Sequence, residues 1–86
     1  MKTAANLYTG QFLFQVRMAL SAFHGRTVGQ EEFGAMLAQE TKETPYKQPR
    51  VWGWEHGTNT APGPVVHAAH KLLRTLPERF QNLTVP

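Results

Sequence analysis

Apolar residues in the first third of the chain recur at three- and four-residue steps. Phe12, Leu13, Val16, Leu20 and Phe23 therefore share one side of a helix running from Gly10 to His24. The run His24-Gly25-Arg26-Thr27 ends it. A second helix is signalled by Val28-Gly29-Gln30-Glu31-Glu32-Phe33, in which Gly29 serves as the cap and Val28 is placed to staple onto Phe33. Glu31 and Glu32 fall in the first turn, where the helix dipole favours negative charge. This helix buries Phe33, Met36 and Leu37, and it frays near Lys42, because Thr44-Pro45 and Gln48-Pro49 each disfavour a helical residue before the proline.

Pro49 suits the first turn of a third helix, since its missing amide hydrogen costs nothing there, and Val51 and Trp54 then lie on the buried side. Gly57 supplies the stop. After a loop from Thr58 to Gly63, Pro64 opens a fourth helix whose apolar stripe is Val65, Val66, Ala69, Leu72, Leu73 and Leu76. Its other side carries His67, His70, Lys71 and Arg74. Pro77 begins a last short helix ending near Leu83. The pattern predicts an all-α bundle of about five helices, forming a single domain over residues 1–86.

Composition narrows the function classes. With 86 residues and 41% hydrophobic content, the chain can close a small core but has little room for a deep substrate cavity. It has no cysteine, so helix packing must supply the stability, and the expected compartment is the cytoplasm. No apolar run reaches the length of a membrane span, and residues 1–14 lack the apolar stretch of a secretory signal. A net charge of +3 permits attraction to phosphates. The acids Glu31, Glu32, Glu40 and Glu43 precede Lys47, Arg50, Lys71, Arg74 and Arg79, so the later part can present a basic face. His67 and His70 share a helix face, but no neighbouring Cys, Asp or Glu completes a metal site. Ser21 has no Gly-rich elbow, and no acid pair has a catalytic setting. Neither an enzyme, a metal nor a cofactor is expected.

The stretch Val28 to Leu37, followed by Val51-Trp52-Gly53-Trp54-Glu55-His56-Gly57 and then Pro62, resembles the Cro and phage-repressor (XRE-like) helix-turn-helix family. The most specific part is the hydrophobic-x-x-Trp-Glu-x-Gly string. The resemblance implies a lambda-repressor-like helix-turn-helix, with its core at about residues 28–57 formed by Phe33, Gly34, Leu37, Tyr46, Val51, Trp54, Glu55 and Gly57. Gly34 is small where the second and third helices must approach, and Tyr46 stands in for the residue that plugs the turn. Glu55 corresponds to an acid that pairs with an arginine of the first helix, for which Arg17 is the candidate. About half a dozen extra residues between Ala38 and Lys47 lengthen the turn into a loop.

By the same resemblance the third helix reads bases through Gln48, Pro49, Arg50 and Trp52. Gln48 suits an adenine edge and Arg50 a guanine edge or a phosphate. Pro49 and Gly53 replace hydrogen-bond donors, which shifts readout towards apolar contact of Pro49 or Trp52 with thymine methyl groups. Gln30, Lys42, Lys47, Thr58 and Asn59 are the candidates for the DNA backbone. For each there is a plainer reading. Trp52 could be core or dimer surface, and Gln30, Gln48 and Arg50 ordinary helix surface.

The implied function is a sequence-specific double-stranded DNA-binding transcriptional regulator: a homodimeric, autoregulatory repressor of phage or mobile-element type that reads a palindromic operator. The alternative is a protein-interaction adaptor or antitoxin that binds a protein partner through Trp52 and the long loop. Residues 76–86 are the candidate dimerisation segment, through Leu76, Phe80 and Leu83. The competing expectation is that they fold back on the first helix of the same chain.

Overall fold

The computed structural model describes residues 2–82. Four helices, α1 (Ala4–His24), α2 (Gln30–Thr41), α3 (Gln48–Glu55) and α4 (Gly63–Arg74), are followed by a 3-10 turn, Glu78–Phe80. Among the described residues there is no strand. α1 packs on α3 and α4, and α2 packs on the same two helices from the other side. The centre is filled by Leu13, Val16, Val28, Phe33, Leu37, Val51 and Val65, all fully buried.

α1 begins at Ala4 and not at Gly10, because the Thr3 hydroxyl accepts the Asn6 amide at 3.1 Å and caps the helix. The apolar pattern starts late because the first two turns pack little: Leu7 and Tyr8 are exposed. Gly10 therefore lies inside the helix, where glycine is normally unfavourable. Its reason is tertiary. A Cβ there would stand 2.5 Å from the carbonyl oxygens of Trp54 and Glu55, so glycine lets α1 lie against the end of α3. The buried stripe of α1 is Leu13, Val16, Ala19 and Leu20, with Phe12 at its rim. Phe23, expected inside, is 45% exposed, since the helix turns it past the edge of the core.

α2 and α3 follow the expected local chemistry. Gly29 caps α2, Lys42 ends it with a left-handed φ of 60°, and Pro49 sits in the first turn of α3. Gly57 leaves α3 at φ 73°, a conformation costly for any residue with a Cβ. Gly34 is the tightest point of the fold. A Cβ on it would run into the Tyr46 carbonyl oxygen and would lie 3.1 Å from the Val51 side chain.

The fifth helix expected over Pro77 to Leu83 is reduced to the single turn Glu78–Phe80, and Leu83 lies outside the described residues. Leu76 belongs to the core, at 6% exposure. Phe80 packs edge-on against Phe23 of α1, with ring centroids 5.6 Å apart. Three residues of helix offer no full set of backbone hydrogen bonds, so this contact, and not helix formation, holds the segment on α1.

On the other side of α1, Phe12 lies under His70 of α4, with ring centroids 4.3 Å apart. Burial pushes the His70 imidazole below its ordinary range, and Arg74 and His67 push it the same way. The unfolded chain therefore takes up this proton first as pH falls. Stability is full above the ordinary histidine range and declines as pH drops through it.

Two outcomes are expected. Gly34→Ala should lower stability by about 1 to 3 kcal/mol through overpacking against rigid backbone, whereas Gly63→Ala, which meets open space, should not; denaturant unfolding compares them. The thermal midpoint should fall between about pH 7.5 and 5.5, with a smaller fall in His70→Gln, and an equal fall in that variant would exclude His70 as a cause.

Candidate nucleic-acid interface

α3 is eight residues long and is held by one side only. Val51, Trp54 and Glu55 face inward, and helical geometry turns Pro49, Trp52 and His56 the opposite way. Trp52 is 43% exposed. Its indole is stacked on the His56 ring one turn later, with centroids 3.9 Å apart and planes 17° from parallel. His56 Nδ1 lies 2.9 Å from the Trp52 carbonyl oxygen, which fixes the imidazole over the helix end. Trp52 and His56 thus form a rigid flat plate on the outer face. The sequence pattern did not single out His56, although its four-residue spacing from Trp52 was the available signal.

Gly53, between the two tryptophans, is buried by the following loop. Its carbonyl accepts the amides of Thr58 at 2.9 Å and Asn59 at 3.2 Å, and a Cβ would collide with the Asn59 side-chain amide. Glycine is needed there to let the loop fold onto α3. Of the backbone-contact candidates, Asn59 is therefore tied to α3 through both main chain and side-chain packing, and Thr58 is half-buried beside it.

A chain of side-chain bonds runs from the interior to the start of α3. Arg17 of α1 donates through Nε to Glu55 Oε2 at 2.7 Å and through Nη2 to Glu55 Oε1 at 2.9 Å. Its Nη1 donates to the Val28 carbonyl at 3.0 Å. This is the pair that the resemblance implied. Gln30, the first residue of α2, donates its amide to Glu55 Oε1 at 3.0 Å, and its own oxygen accepts from Gln48 Nε2 at 2.7 Å. Neither bond of Gln30 was foreseen, because residues 25 and 18 positions apart carry no mutual signal in a single sequence.

Arg50 lies on the flank. Its guanidinium stands 5.2 Å from the Tyr46 ring centroid and 5.4 Å from that of Trp54, facing the lengthened turn. It is exposed, but a swing off these rings separates it from the outer face of α3. Tyr46 plugs the turn: it is buried, meets Trp54 edge-on at 5.2 Å and shares a 2.9 Å hydrogen bond with the Thr41 hydroxyl. Lys47 is exposed at the cap of α3, beside Gln48. Lys42 sits at the other end of α2 from Gln30, about 18 Å away along the helix, outside this cluster.

The electrostatics around Gln30 are mixed. Glu32 is paired to Arg26 through two bonds of 2.7 Å, and that hydrogen bonding holds its carboxyl below the ordinary range, while Glu31 is exposed. An approaching phosphate meets donors from Lys47 and an acid from Glu31. Among the described residues, no group of three metal-ligating side chains occurs, and no helix is long and apolar enough to cross a membrane.

Because Glu55 is buried with its charge satisfied by Arg17, removing one partner strands the other. Arg17→Ala or Glu55→Ala should each cost about 3 to 5 kcal/mol, and the double variant should lose less than the sum of the two, measured by denaturant unfolding. Losses below 1 kcal/mol in both single variants would show that the pair is not desolvated.

Neither a family model, nor a curated protein, nor a solved structure matches the chain.

Proposed function

We propose that the chain is a lambda-repressor-like helix-turn-helix protein with a lengthened turn that binds double-stranded DNA in a sequence-selective way through α3. The observation that carries this reading is the division of labour on α3. Val51, Trp54 and Glu55 hold the helix in place, and Gln48, Pro49 and the Trp52–His56 plate are left on its outer side beside the start of α2. A major groove admits a helix of this kind and offers both base edges for an amide and methyl groups for an apolar plate.

Within this reading, Gln48 takes an adenine edge and Trp52 with Pro49 takes thymine methyl groups. Lys47 meets the phosphate backbone, as do Thr58 and Asn59 in the loop folded onto α3. Lys42 and Arg50 serve as peripheral backbone contacts. One short helix makes few base contacts, so useful selectivity calls for two copies on a palindromic operator. The proposed activity is that of a homodimeric repressor, autoregulatory and of phage or mobile-element type. With Leu76 in the core and Phe80 on Phe23, a dimer contact through 76–86 would use the outer edge of Phe80.

A second reading has its own support. Leu7, Phe14 and Met18 are exposed and fall on one line along α1, which together with Trp52 suits an adaptor or antitoxin that binds a protein partner. Salt separates the two, since DNA affinity falls steeply as ions compete for phosphates and an apolar contact does not weaken.

Selection of bound duplexes from a random pool tests the proposal, with a recovered palindrome expected. On that duplex Gln48→Ala should lose about 1 to 3 kcal/mol of specific binding with an unchanged melt. Replacing the thymine under Trp52 by deoxyuridine should weaken the wild type and leave Trp52→Ala unaffected. Recovery of no preferred sequence would overturn the proposal.

A further inference from the structure

Among the described residues, Glu55 is the buried charged side chain, and it lies at the root of a hydrogen-bond chain that ends on the outer face of α3. Resting on the DNA-binding reading above, we infer that Glu55 and Gln30 are positioning residues that lock the Gln48 amide in one orientation and thereby commit it to adenine at one base pair per half-site.

The direction of every bond in the chain follows from chemistry. The Arg17 guanidinium has only hydrogens to give, and it occupies both oxygens of the Glu55 carboxylate at 2.7 and 2.9 Å. A carboxylate facing Gln30 can only accept. The Gln30 nitrogen must therefore turn towards Glu55, at 3.0 Å, because its oxygen would meet like charge there. That leaves the Gln30 oxygen outward, where it can only accept, and so the Gln48 nitrogen turns to it, at 2.7 Å. One hydrogen of the Gln48 amide is consumed. What remains is one N–H and one oxygen, side by side.

This remainder matches one base edge in the major groove. Adenine offers an acceptor at N7 and a donor at N6, which pair with the free N–H and the oxygen of Gln48. Guanine offers acceptors at both N7 and O6, so the locked oxygen of Gln48 would face O6. An unlocked glutamine could rotate its amide and offer both hydrogens to guanine, a choice that the chain removes. Gln30 is thereby spent inside the protein. Its amide has both ends occupied, and the exposed Glu31 beside it disfavours a phosphate at the same place.

The test uses the full chain in two measurements. In the DNA-free protein, nuclear magnetic resonance of the Gln48 side-chain amide should show one hydrogen-bonded and one solvent-exposed proton, and in Gln30→Met both should be exposed. Two exposed protons in the wild type would overturn the lock independently of any DNA. On the selected duplex, Gln30→Met should relax adenine over guanine by about tenfold at one base pair per half-site, at unchanged salt dependence. Adding Gln30→Met to Gln48→Ala should then change nothing further. Glu55 keeps both Arg17 bonds in Gln30→Met, and an unchanged melt checks that the fold is intact. A uniform loss across sequences, with the salt slope reduced by about one, would instead make Gln30 a phosphate contact and overturn the inference. An unaltered adenine preference in Gln30→Met would overturn it as well, with the DNA-binding reading left standing. A locked amide in a protein that selects no sequence would sink the adenine assignment together with that reading.

Discussion

The ion pair between Arg17 and Glu55 is the interaction on which the arrangement of this bundle turns. Its charges come from α1 and from the last turn of α3, and the third nitrogen of Arg17 holds the Val28 carbonyl just before α2. Three segments are thus referred to one guanidinium. Ser21, one turn after Arg17, adds to this by donating to the Arg17 carbonyl and accepting the Val28 amide, both at 2.9 Å. An apolar cluster of equal volume could supply as much stability, because desolvating two charges is costly. It would supply no direction, whereas a bidentate pair fixes distance and angle together. That orientation is what passes outward through Gln30 to the surface of α3.

Close backbone contact is the second requirement, and glycine meets it at different places. Gly10 lets α1 touch the end of α3, and Gly34 lets α2 touch the turn at Tyr46. With α3 only eight residues long, its own hydrogen bonds could not keep it folded. It stands because α1 and α2 approach it to backbone distance and because Trp54 and Val51 are buried against them. The lengthened turn fits this scheme without disturbing it. Tyr46 closes the gap that the extra residues open, and Arg50 lies over Tyr46 and Trp54 as a cover.

The surface left over is divided in character. On α3 it is a small amide beside a stacked aromatic pair, and on α1 it is a line of exposed apolar side chains with Arg17 lying over the edge of Phe14. Both invite contact, but of different kinds: the first offers hydrogen bonds of fixed direction, the second only area. This difference is why the DNA-binding proposal rests on α3, with α1 the better surface for another protein.

Element type and order were legible in the sequence, because the stripes of α2 and α4 and the prolines opening α3 and α4 are local signals of burial and backbone geometry. So were the buried roles of Phe33, Leu37, Val51 and Trp54, whose spacing leaves one face of each helix to hide. The Arg17–Glu55 pair was available by resemblance, since a single arginine in α1 left no other choice. The early start of α1, the exposure of Phe23 and the shrinking of the last helix to one turn were decided by tertiary packing, as each depends on where a neighbouring helix ends. The same holds for the withdrawal of Arg50 onto two rings, the folding of Asn59 over Gly53, and the bonds that join Gln30 to Glu55 and Gln48. Periodicity tells which side of a helix is buried. Which polar groups meet across helices depends on crossing distances set by residues such as Gly10 and Gly34, and those distances exist only once the helices have packed.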